Sequence, residues 1–193
     1  QYQELMGKNP SRFAIDPKLP VEAVSWYDAV ACCNALSAKE GLEPVYTIKG
    51  TEVTADFTRK GWRLPTEAEW EFAARGGTAS KGYSYAGSND VAAVAWFVDN
   101  SNARTFAVGS KIPNELGLYD MSGNAFEWCN DWYGEYEQGP QNNPKGVDSG
   151  FMRVLRGGSA FRHAGACAVA SRTFASPDYT RFGAGLRLVR STN

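Results

Sequence analysis

The last fifth of this chain, residues 157–187, has no periodic arrangement of its side chains. It shows neither the two-residue alternation of a half-buried strand nor the spacing of an amphipathic helix. Instead, anchor residues alternate with three unpatterned runs. The anchors are Gly157, Gly158, Ser159, Cys167, Arg172 and Pro177, and the runs are Ala160-Phe161-Arg162-His163, Thr173-Phe174-Ala175-Ser176 and Arg181-Phe182-Gly183-Ala184. We therefore expect loops displayed to solvent, where binding and catalytic groups are usually found.

The composition is that of one well-packed globular domain. The chain has 193 residues, of which 13% are aromatic and six are Trp, and this suits a single domain over residues 1–193. The formal net charge of −1 gives no electrostatic reason to expect nucleic acid or an acidic membrane surface as a partner. No apolar run approaches the roughly 20 residues of a membrane-spanning helix.

Local signals divide the chain into two helices, several short strands and long loops. Ser25 is an N-cap before apolar residues at helical spacing up to Gly41, and Thr66 opens a capping box whose helix ends at Gly76. Short strands are expected at residues 45–48, 53–57, 127–129, 153–156 and 185–189. The pattern predicts an α+β domain with two helices, small antiparallel sheets and long structured loops.

The four cysteines form neither a metal-binding nor a disulfide pattern. Cys32 and Cys33 are adjacent, while Cys129 and Cys167 are isolated, so there is no CxxC knuckle and no regular disulfide framework. We expect buried free thiols. A zinc site is further disfavoured because His163 is the only histidine.

Five motifs in a fixed order carry a resemblance to a known family. They are Pro20-Val21-Glu22-Ala23-Val24-Ser25-Trp26, Trp62-Arg63-Leu64-Pro65-Thr66-Glu67-Ala68-Glu69-Trp70-Glu71, Gly117-Leu118-Tyr119-Asp120-Met121, Gly123-Asn124-Ala125-Phe126-Glu127-Trp128 and Arg156-Gly157-Gly158-Ser159. From about residue 18 to its end, the chain resembles the formylglycine-generating enzyme (sulfatase-modifying factor) family. The resemblance implies a C-type-lectin-like fold of the sulfatase-modifying factor variety, but such a fold does not by itself assign an activity.

The same resemblance argues against the family's oxidase chemistry in this chain. In the oxidase members two cysteines after the Gly-Gly-Ser turn bind copper, and the corresponding positions here are Arg162 and Cys167. An arginine supplies no thiolate to a soft metal, and one cysteine alone lacks dithiol chemistry. Related iron-dependent members need a histidine cluster, which a single histidine does not provide. We therefore expect no copper and no catalytic residues, with a metal-dependent oxidase of this family as the alternative.

A second resemblance fits the unpatterned segment. Variable proteins of diversity-generating retroelements use the same fold, and adenine-specific mutagenesis of Asn-type codons rewrites their C-terminal region. Such codons never yield Lys, Glu, Gln, Met or Trp, because the third base is fixed. Those five types make up 33 of the 193 residues, so about four are expected over the length of residues 160–184, which contain none.

The resemblance to variable proteins implies a recognition surface within a variable region at about residues 157–190. Aromatic side chains and arginines with small residues between them are typical of a paratope. The alternative for each phenylalanine is burial in the core, and His163 is expected to be an exposed loop residue without a catalytic partner. The implied ligand-binding residues are Ala160, Phe161, Arg162, His163, Gly165, Ala166, Thr173, Phe174, Ala175, Ser176, Tyr179, Arg181, Phe182, Gly183 and Ala184.

The partner is expected to be an unknown protein or surface ligand and not a nucleic acid. We expect a monomer. By the same resemblance we expect an extracytoplasmic location at the cell surface, with any membrane anchor lying outside this sequence. A purely structural family member without a ligand is a third reading of the same motifs.

A structural calcium ion is implied at one loop. Asp120, Gly123, Ala125 and Glu127 match positions that ligate calcium in the family enzyme, through two carboxylates and two backbone carbonyls. Oxygen ligands from a loop suit Ca²⁺. In the alternative, Asp120 caps a turn and Glu127 pairs with an arginine.

Overall fold

The structure is a computed structural model that describes residues 1–181 and 183–191. Within these residues the α-helices are α1 (Tyr2–Met6), α2 (Trp26–Lys39), α3 (Glu67–Ala74), α4 (Val91–Val94) and α5 (Val98–Ser101), and 3₁₀ helices span Gly77–Ala79 and Ala164–Cys167. The strands are β1 (Tyr46–Lys49), β2 (Glu52–Ala55), β3 (Trp62–Arg63), β4 (Phe126–Trp132), β5 (Arg153–Arg156), β6 (Arg172–Ala175), β7 (Ala184–Gly185) and β8 (Val189–Arg190). None of the described helices is long and apolar enough to cross a membrane.

The strands form three small sheets. β1 and β2 make an antiparallel hairpin, β3 pairs antiparallel with β8, and the main sheet has the strand order β6-β5-β4-β7. Within the main sheet β4 and β7 run parallel, with Phe126 opposite Ala184. Because the chain crosses from one edge to the other between β6 and β7, the unpatterned segment supplies both edge strands of this sheet.

Capping boxes begin the two longer helices. The Ser25 hydroxyl accepts the backbone N–H of Asp28 at 2.9 Å, and the Asp28 carboxylate accepts the Ser25 N–H in return. Thr66 and Glu69 make the same reciprocal pair at the start of α3. Each box satisfies donors that the first helical turn leaves open. The predicted N-termini of both helices are confirmed.

Buried tryptophans connect the helices to the main sheet. Trp26 of α2 donates its indole N–H to the carbonyl of Cys129 at 3.0 Å, and Trp128 of β4 donates to the carbonyl of Val24 at 2.8 Å. Trp70 of α3 is buried in a second apolar cluster. Because a buried indole N–H needs an acceptor, the first two bonds fix the position of α2 against β4.

The guanidinium of Arg156, at the end of β5, is completely buried. It donates to the Glu71 carboxylate of α3 and to the carbonyls of Ser171, at 2.7 Å, and Val169, at 2.8 Å. Its Nη1 also lies 3.6 Å from a carboxylate oxygen of Glu67. One side chain therefore joins β5, α3 and the loop that leads into β6.

The Glu67 carboxylate forms the second half of this ion-pair cluster. It accepts the Nε and Nη2 hydrogens of Arg172 at 2.9 and 2.6 Å, and the Tyr136 hydroxyl at 3.0 Å. Glu67 is 5% exposed. The first residue of β6 is thus held to the first residue of α3.

Most predicted elements are confirmed, and the differences arise where pairing is non-local. The hairpin strands predicted at 45–48 and 53–57 occupy Tyr46–Lys49 and Glu52–Ala55. The single strand predicted at 185–189 is instead two strands, β7 and β8, which pair in different sheets. The expectation of antiparallel pairing alone is wrong for β4 and β7. The helices α1, α4 and α5 were missed because four or five residues are too few for a periodic signal.

The cysteines are buried free thiols, as predicted. Burial raises the pKa of Cys32 to about 11 and the pKa values of Cys33 and Cys129 well above the ordinary range. All three thiols are therefore protonated at neutral pH and act as small apolar side chains.

Replacing Glu67 with Gln tests the buried ion-pair cluster. The variant removes the charge that faces Arg156 and Arg172, and breaking a buried pair from one side costs about 3–5 kcal/mol. We expect the free energy of unfolding, measured by urea denaturation with tryptophan fluorescence, to fall by about 3 kcal/mol. The matched control is Glu40→Gln, which removes an exposed pair with Arg190 and should cost about 1 kcal/mol or less. Equal losses in the two variants would contradict the assignment.

Candidate ligand-binding surface

One face of the main sheet is the floor of a pocket of about 370 Å³. Thr173 and Ala175 come from β6, Leu155 from β5, Phe126 from β4 and Ala184 from β7. Thr173 lies opposite Leu155, and Phe126 lies opposite Ala184. Paired residues in a sheet share a face, so strand register brings these side chains together.

Loop residues complete the lining. Ser159, Phe161 and Arg162 come from the loop after β5, and Tyr179 and Arg181 come from the loop after β6. Eight of the predicted binding residues therefore border the pocket, which are Phe161, Arg162, Thr173, Phe174, Ala175, Tyr179, Arg181 and Ala184. Because side chains alternate along β6, Phe174 points to the opposite face of the sheet from Thr173 and Ala175. We call this set of eight the pocket set.

Backbone hydrogen bonds hold the loop that follows β5. The Ala160 N–H donates to the carbonyl of Asn124 at 2.9 Å, and the Ser101 hydroxyl donates to the carbonyl of Ala160. The Val98 N–H donates to the carbonyl of Arg162 at 3.0 Å. Because the loop contributes only main-chain atoms to these bonds, they do not depend on which side chains it carries.

The loop after β6 is fixed in the same manner. The Trp26 N–H donates to the carbonyl of Pro177 at 3.0 Å, and the Phe126 N–H donates to the carbonyl of Gly183 at 2.7 Å. The Gly183 N–H in turn donates to the Glu22 carboxylate at 3.1 Å. In these three bonds the unpatterned segment contributes only backbone atoms, and the one side chain involved, that of Glu22, belongs to the scaffold.

The Gly-Gly-Ser turn needs glycine for steric reasons. Gly157 and Gly158 have φ values of +88° and +73°, in the region that glycine adopts most readily. A Cβ on Gly158 would lie 2.7 Å from the Cys167 sulfur and 2.8 Å from the carbonyl oxygen of Ala166. The turn is therefore closed tightly against the 3₁₀ helix Ala164–Cys167.

The predicted binding residues differ in exposure. The exposed ones are Arg162, His163, Gly165, Phe174 and Arg181, and the half-buried ones are Phe161, Ala166, Thr173, Ala175, Ser176 and Tyr179. Phe182 lies outside the described residues. Neither Phe161 nor Phe174 is a fully buried core residue, and His163 is an exposed loop residue as expected.

Three members of the predicted set are buried, which corrects the expectation that they present side chains to solvent. Ala160 and Ala184 are 0% and 1% exposed, and Gly183 is also buried. A Cβ on Gly183 would lie 2.9 Å from a ring carbon of Phe161. These small residues allow the chain to approach the scaffold closely, and only Ala184 reaches the pocket, as part of its floor.

One unpatterned run is a strand and not a loop. Thr173, Phe174 and Ala175 lie in β6 and pair with β5 through Leu155, Val154 and Arg153 respectively. The run lacks alternation because β6 is an edge strand whose pairing is fixed by the backbone of β5. Phe174 packs its ring against Tyr133, with ring centroids 4.4 Å apart.

Sequence reasoning missed part of the floor. Phe126, Leu155 and Ser159 line the pocket but were not predicted to bind. The alternation of Phe126 and Trp128 along β4 places both on one face, and that signal was available. The residues around β4 do not predict which strand pairs with it, because that pairing is non-local. They also do not predict which end of that face remains open.

The two positions compared with the family's copper-binding cysteines lie in different environments. Arg162 is exposed, whereas Cys167 is completely buried. Burial raises the pKa of Cys167 to about 12, so its thiol is protonated at neutral pH. A buried neutral thiol is neither a good nucleophile nor a thiolate ligand. In the described part of the chain, no group of three or more His, Cys, Asp and Glu side chains could hold a metal ion.

Of the predicted calcium residues, Asp120, Gly123 and Ala125 lie in the segment that leads into β4, and Glu127 is the second residue of β4. Glu127 is bonded through both oxygens, because Arg187 donates to it at 2.7 and 2.8 Å and the Trp70 indole donates at 2.7 Å. Asp120 accepts the Gly109 N–H at 2.7 Å, so it also caps a turn. Both features of the alternative expectation are therefore present.

Hydrogen bonds do not use every oxygen lone pair of Asp120 and Glu127. Asp120 has only one short hydrogen bond, and burial, together with the charge of Glu127, raises the pKa of its carboxyl. Three bonds to the Glu127 carboxylate leave one of its about four lone-pair sites free. Carboxylate oxygens are the kind of ligand that Ca²⁺ prefers, and Arg187 would compete with the ion for Glu127.

A larger pocket of about 520 Å³ lies between α3 and residues 134–147. Asp131 lines it, and burial raises the pKa of that carboxyl to about 7. Arg172 is the single described residue of the unpatterned segment that reaches it, and Arg172 is already paired with Glu67. This pocket is separate from the predicted recognition residues.

Together these features define a sulfatase-modifying factor-type domain whose C-terminal segment forms a recessed pocket on the main sheet. The family model of the Sulfatase-modifying factor enzyme 1-like domain matches residues 2–192, and the chain belongs to that family. The predicted fold is confirmed. The match begins earlier than the expected residue 18 and includes α1.

Among solved structures, the chain is similar to Treponema denticola variable protein 1. The TM-score is 0.91 at 39% sequence identity, and the similarity covers 97% of this chain and 79% of the other. The resemblance to variable proteins, first indicated by the unpatterned segment, is therefore confirmed.

Two curated relatives show how broadly the domain is used. The chain is 40% identical over 190 aligned residues to "Chaperone protein LppX" of Paenibacillus barcinonensis, covering 82% of this chain and 64% of that protein. It is 36% identical over 162 residues to the formylglycine-generating enzyme of Streptomyces coelicolor, covering 75% and 51%. The chain thus spans between half and two thirds of the length of these relatives.

Proposed function

We propose that this chain is a ligand-binding variable protein, diversified by a retroelement, whose recognition surface is the pocket set together with His163. The observation that carries the proposal is that the scaffold binds the backbone of residues 157–187, while several of their side chains make no bond to it. The backbone is bonded to the scaffold at Ala160, Arg162, Pro177 and Gly183. The side chains of Arg162, His163 and Arg181 make no hydrogen bond or ion pair with the described residues.

Two further observations support the proposal. The chain is 39% identical to a variable protein over nearly its whole length. Residues 160–184 also contain none of the five residue types that adenine mutagenesis of Asn-type codons cannot produce. A scaffold that holds a loop by its backbone tolerates replacement of the side chains, which is what diversification requires.

On this proposal the chain is not an enzyme. The buried protonated thiol of Cys167 and the exposed cation of Arg162 do not form a redox or metal-binding pair. We also propose a monomer at an extracytoplasmic cell surface, meeting a protein or surface ligand and not a nucleic acid. The support for this location is the similarity to a variable protein.

A copper-dependent oxidase is the second candidate, because the chain is 36% identical to a formylglycine-generating enzyme. We expect no turnover of a cysteine-bearing sulfatase peptide by the copper-titrated protein, measured by mass spectrometry of the peptide. The formylglycine-generating enzyme of Streptomyces coelicolor, assayed on the same peptide, is the positive control. Formation of an aldehyde by this chain above the copper-only background would overturn the proposal.

Diversification predicts that exposed positions of the surface accept new side chains. The combined variant Arg162→Ser, His163→Ser and Arg181→Ser should lose less than about 1.5 kcal/mol of unfolding free energy, because surface substitutions cost about 0.5 kcal/mol each. The control is the single substitution Ala160→Phe, which overpacks a buried site and should cost about 1–3 kcal/mol. A combined variant that fails to fold, while the control folds normally, would contradict the proposal.

The DNA around the gene tests diversification directly. We expect a reverse transcriptase gene and an Asn-rich template repeat whose adenines align with the codons of Phe161, Arg162, His163 and Arg181. Sequencing of the locus is the measurement. The absence of both elements would rule out retroelement diversification, while leaving a fixed binding surface in place.

We propose that Asp120, Gly123, Ala125 and Glu127 hold a structural calcium ion. Since the folded protein raises the pKa of Asp120, its ionised form costs stability at neutral pH, and a cation would relieve that cost. We expect Ca²⁺ to raise the thermal midpoint over EDTA by about 3 °C, and to do so less as the pH falls and protons compete. Asp120→Asn should remove the calcium effect without lowering the midpoint in EDTA. Equal midpoints of the wild type in Ca²⁺ and EDTA would contradict a calcium site.

A further inference from the structure

We propose that the pocket on the main sheet binds an acidic, extended segment of a partner protein, laid along the open edge of β6. The inference rests on the proposed function, because it names the ligand class of the same surface. Two independent features of the pocket carry it, which are the sign of its charges and the free edge of its outermost strand.

The charged side chains among the described lining residues are all cationic. Arg162 and Arg181 line the pocket, and no aspartate or glutamate does. Both guanidinium groups are exposed and have no ion-pair partner in the described ranges 1–181 and 183–191. The chain as a whole has a net charge of −1, so this cationic lining is a local feature.

Four other arginines of the chain form ion pairs with carboxylates of the scaffold. Arg63, Arg156, Arg172 and Arg187 each lie within ion-pair distance of a glutamate. Arg162 and Arg181 are therefore the pocket's available groups for an incoming carboxylate, which a guanidinium binds through two parallel hydrogen bonds.

The rest of the pocket lining suits apolar side chains. Phe126, Leu155 and Ala175 contribute apolar area to the floor, and Tyr179 adds an aromatic ring. Phe161 is positioned by stacking on Phe13, with centroids 6.2 Å apart and planes inclined by 21°. A ligand that alternates carboxylates with apolar groups would therefore match both kinds of lining.

The outer edge of β6 selects an extended peptide over other anions. β6 ends the strand order β6-β5-β4-β7 and pairs with β5 alone. Beyond that pairing, Thr173, Phe174 and Ala175 make no backbone hydrogen bond to any described residue. Such an edge is a template for strand addition, in which main-chain bonds supply affinity and side-chain pockets supply choice. Nucleic acids and polysaccharides satisfy the arginines but have no backbone that extends a sheet.

Selection from a random peptide library tests the charge preference of the pocket. The library carries peptides of about eight residues, slightly longer than a typical strand. We expect wild-type protein to enrich Asp and Glu over the starting library, and the folded variant Arg162→Gln, Arg181→Gln to enrich neither. The matched control is Lys81→Gln, Arg104→Gln, which removes two exposed charges outside the pocket and should select like the wild type.

The most enriched peptide then tests the binding mode. Its version with every Asp and Glu changed to Asn and Gln should bind about tenfold or more weakly by fluorescence anisotropy, because the charge-assisted bonds are lost. Bound acidic peptide should also slow amide hydrogen exchange in β6. Alternate N-methylation of the peptide backbone should weaken binding, since it blocks strand pairing.

Three outcomes would overturn the inference: no acidic enrichment, an unchanged preference in the Arg162→Gln, Arg181→Gln variant, or no effect on exchange in β6. Equal or tighter binding of heparin fragments or oligothymidylate would replace the peptide by another class of polyanion. None of these outcomes would contradict the proposed function. That proposal is tested by other experiments, namely the stability of the combined serine variant and the sequence of the locus. A locus without a reverse transcriptase, in turn, would leave an acidic preference of this pocket standing.

Discussion

The buried guanidinium of Arg156 is the interaction on which the rest of the structure depends. It is completely buried, and it lies between the Glu71 and Glu67 carboxylates of α3 and the carbonyls that precede β6. A buried cation without its counter-ions is strongly destabilising, so this arrangement admits few alternatives. It fixes β5 against α3 and sets the point from which β6 starts. The loop that carries Phe161 and Arg162 therefore has both of its ends, at β5 and at β6, fixed against α3.

The residues that follow β5 are held to the scaffold mainly through their backbone. Between β5 and β7 the chain is held by carbonyls and amides at Ala160, Arg162, Pro177 and Gly183, and the partners of these groups belong to the scaffold. At Ala160 and Gly183, which are buried against the scaffold, the residues are small. The burial of Ala160 shows that a place within the unpatterned segment does not by itself put a side chain on the surface.

The sequence predicted the parts of the fold that local chemistry determines. Ser25 and Thr66 mark the starts of the longer helices because a capping box needs only a side chain and the next helical turn. The parallel pairing of β4 with β7 was not predictable, because it depends on where the whole segment after β5 returns to the sheet. Phe161 and Arg162 were predicted as binding residues from the sequence of their own loop. Leu155 and Phe126 were missed because their place in the pocket depends on the same non-local pairing of strands.

Arg162 and Cys167 occupy the positions compared with the family's copper-binding cysteines, and their surroundings differ. The sulfur of Cys167 fills the space beneath Gly158, where no Cβ fits, so the cysteine has a packing role that persists without redox chemistry. Arg162 has no such role, since the scaffold bonds only its backbone. Its guanidinium lies at the pocket with that of Arg181, and no carboxylate of the lining balances them. A charge that folding does not use is available to a ligand, and it favours ligands of the opposite sign.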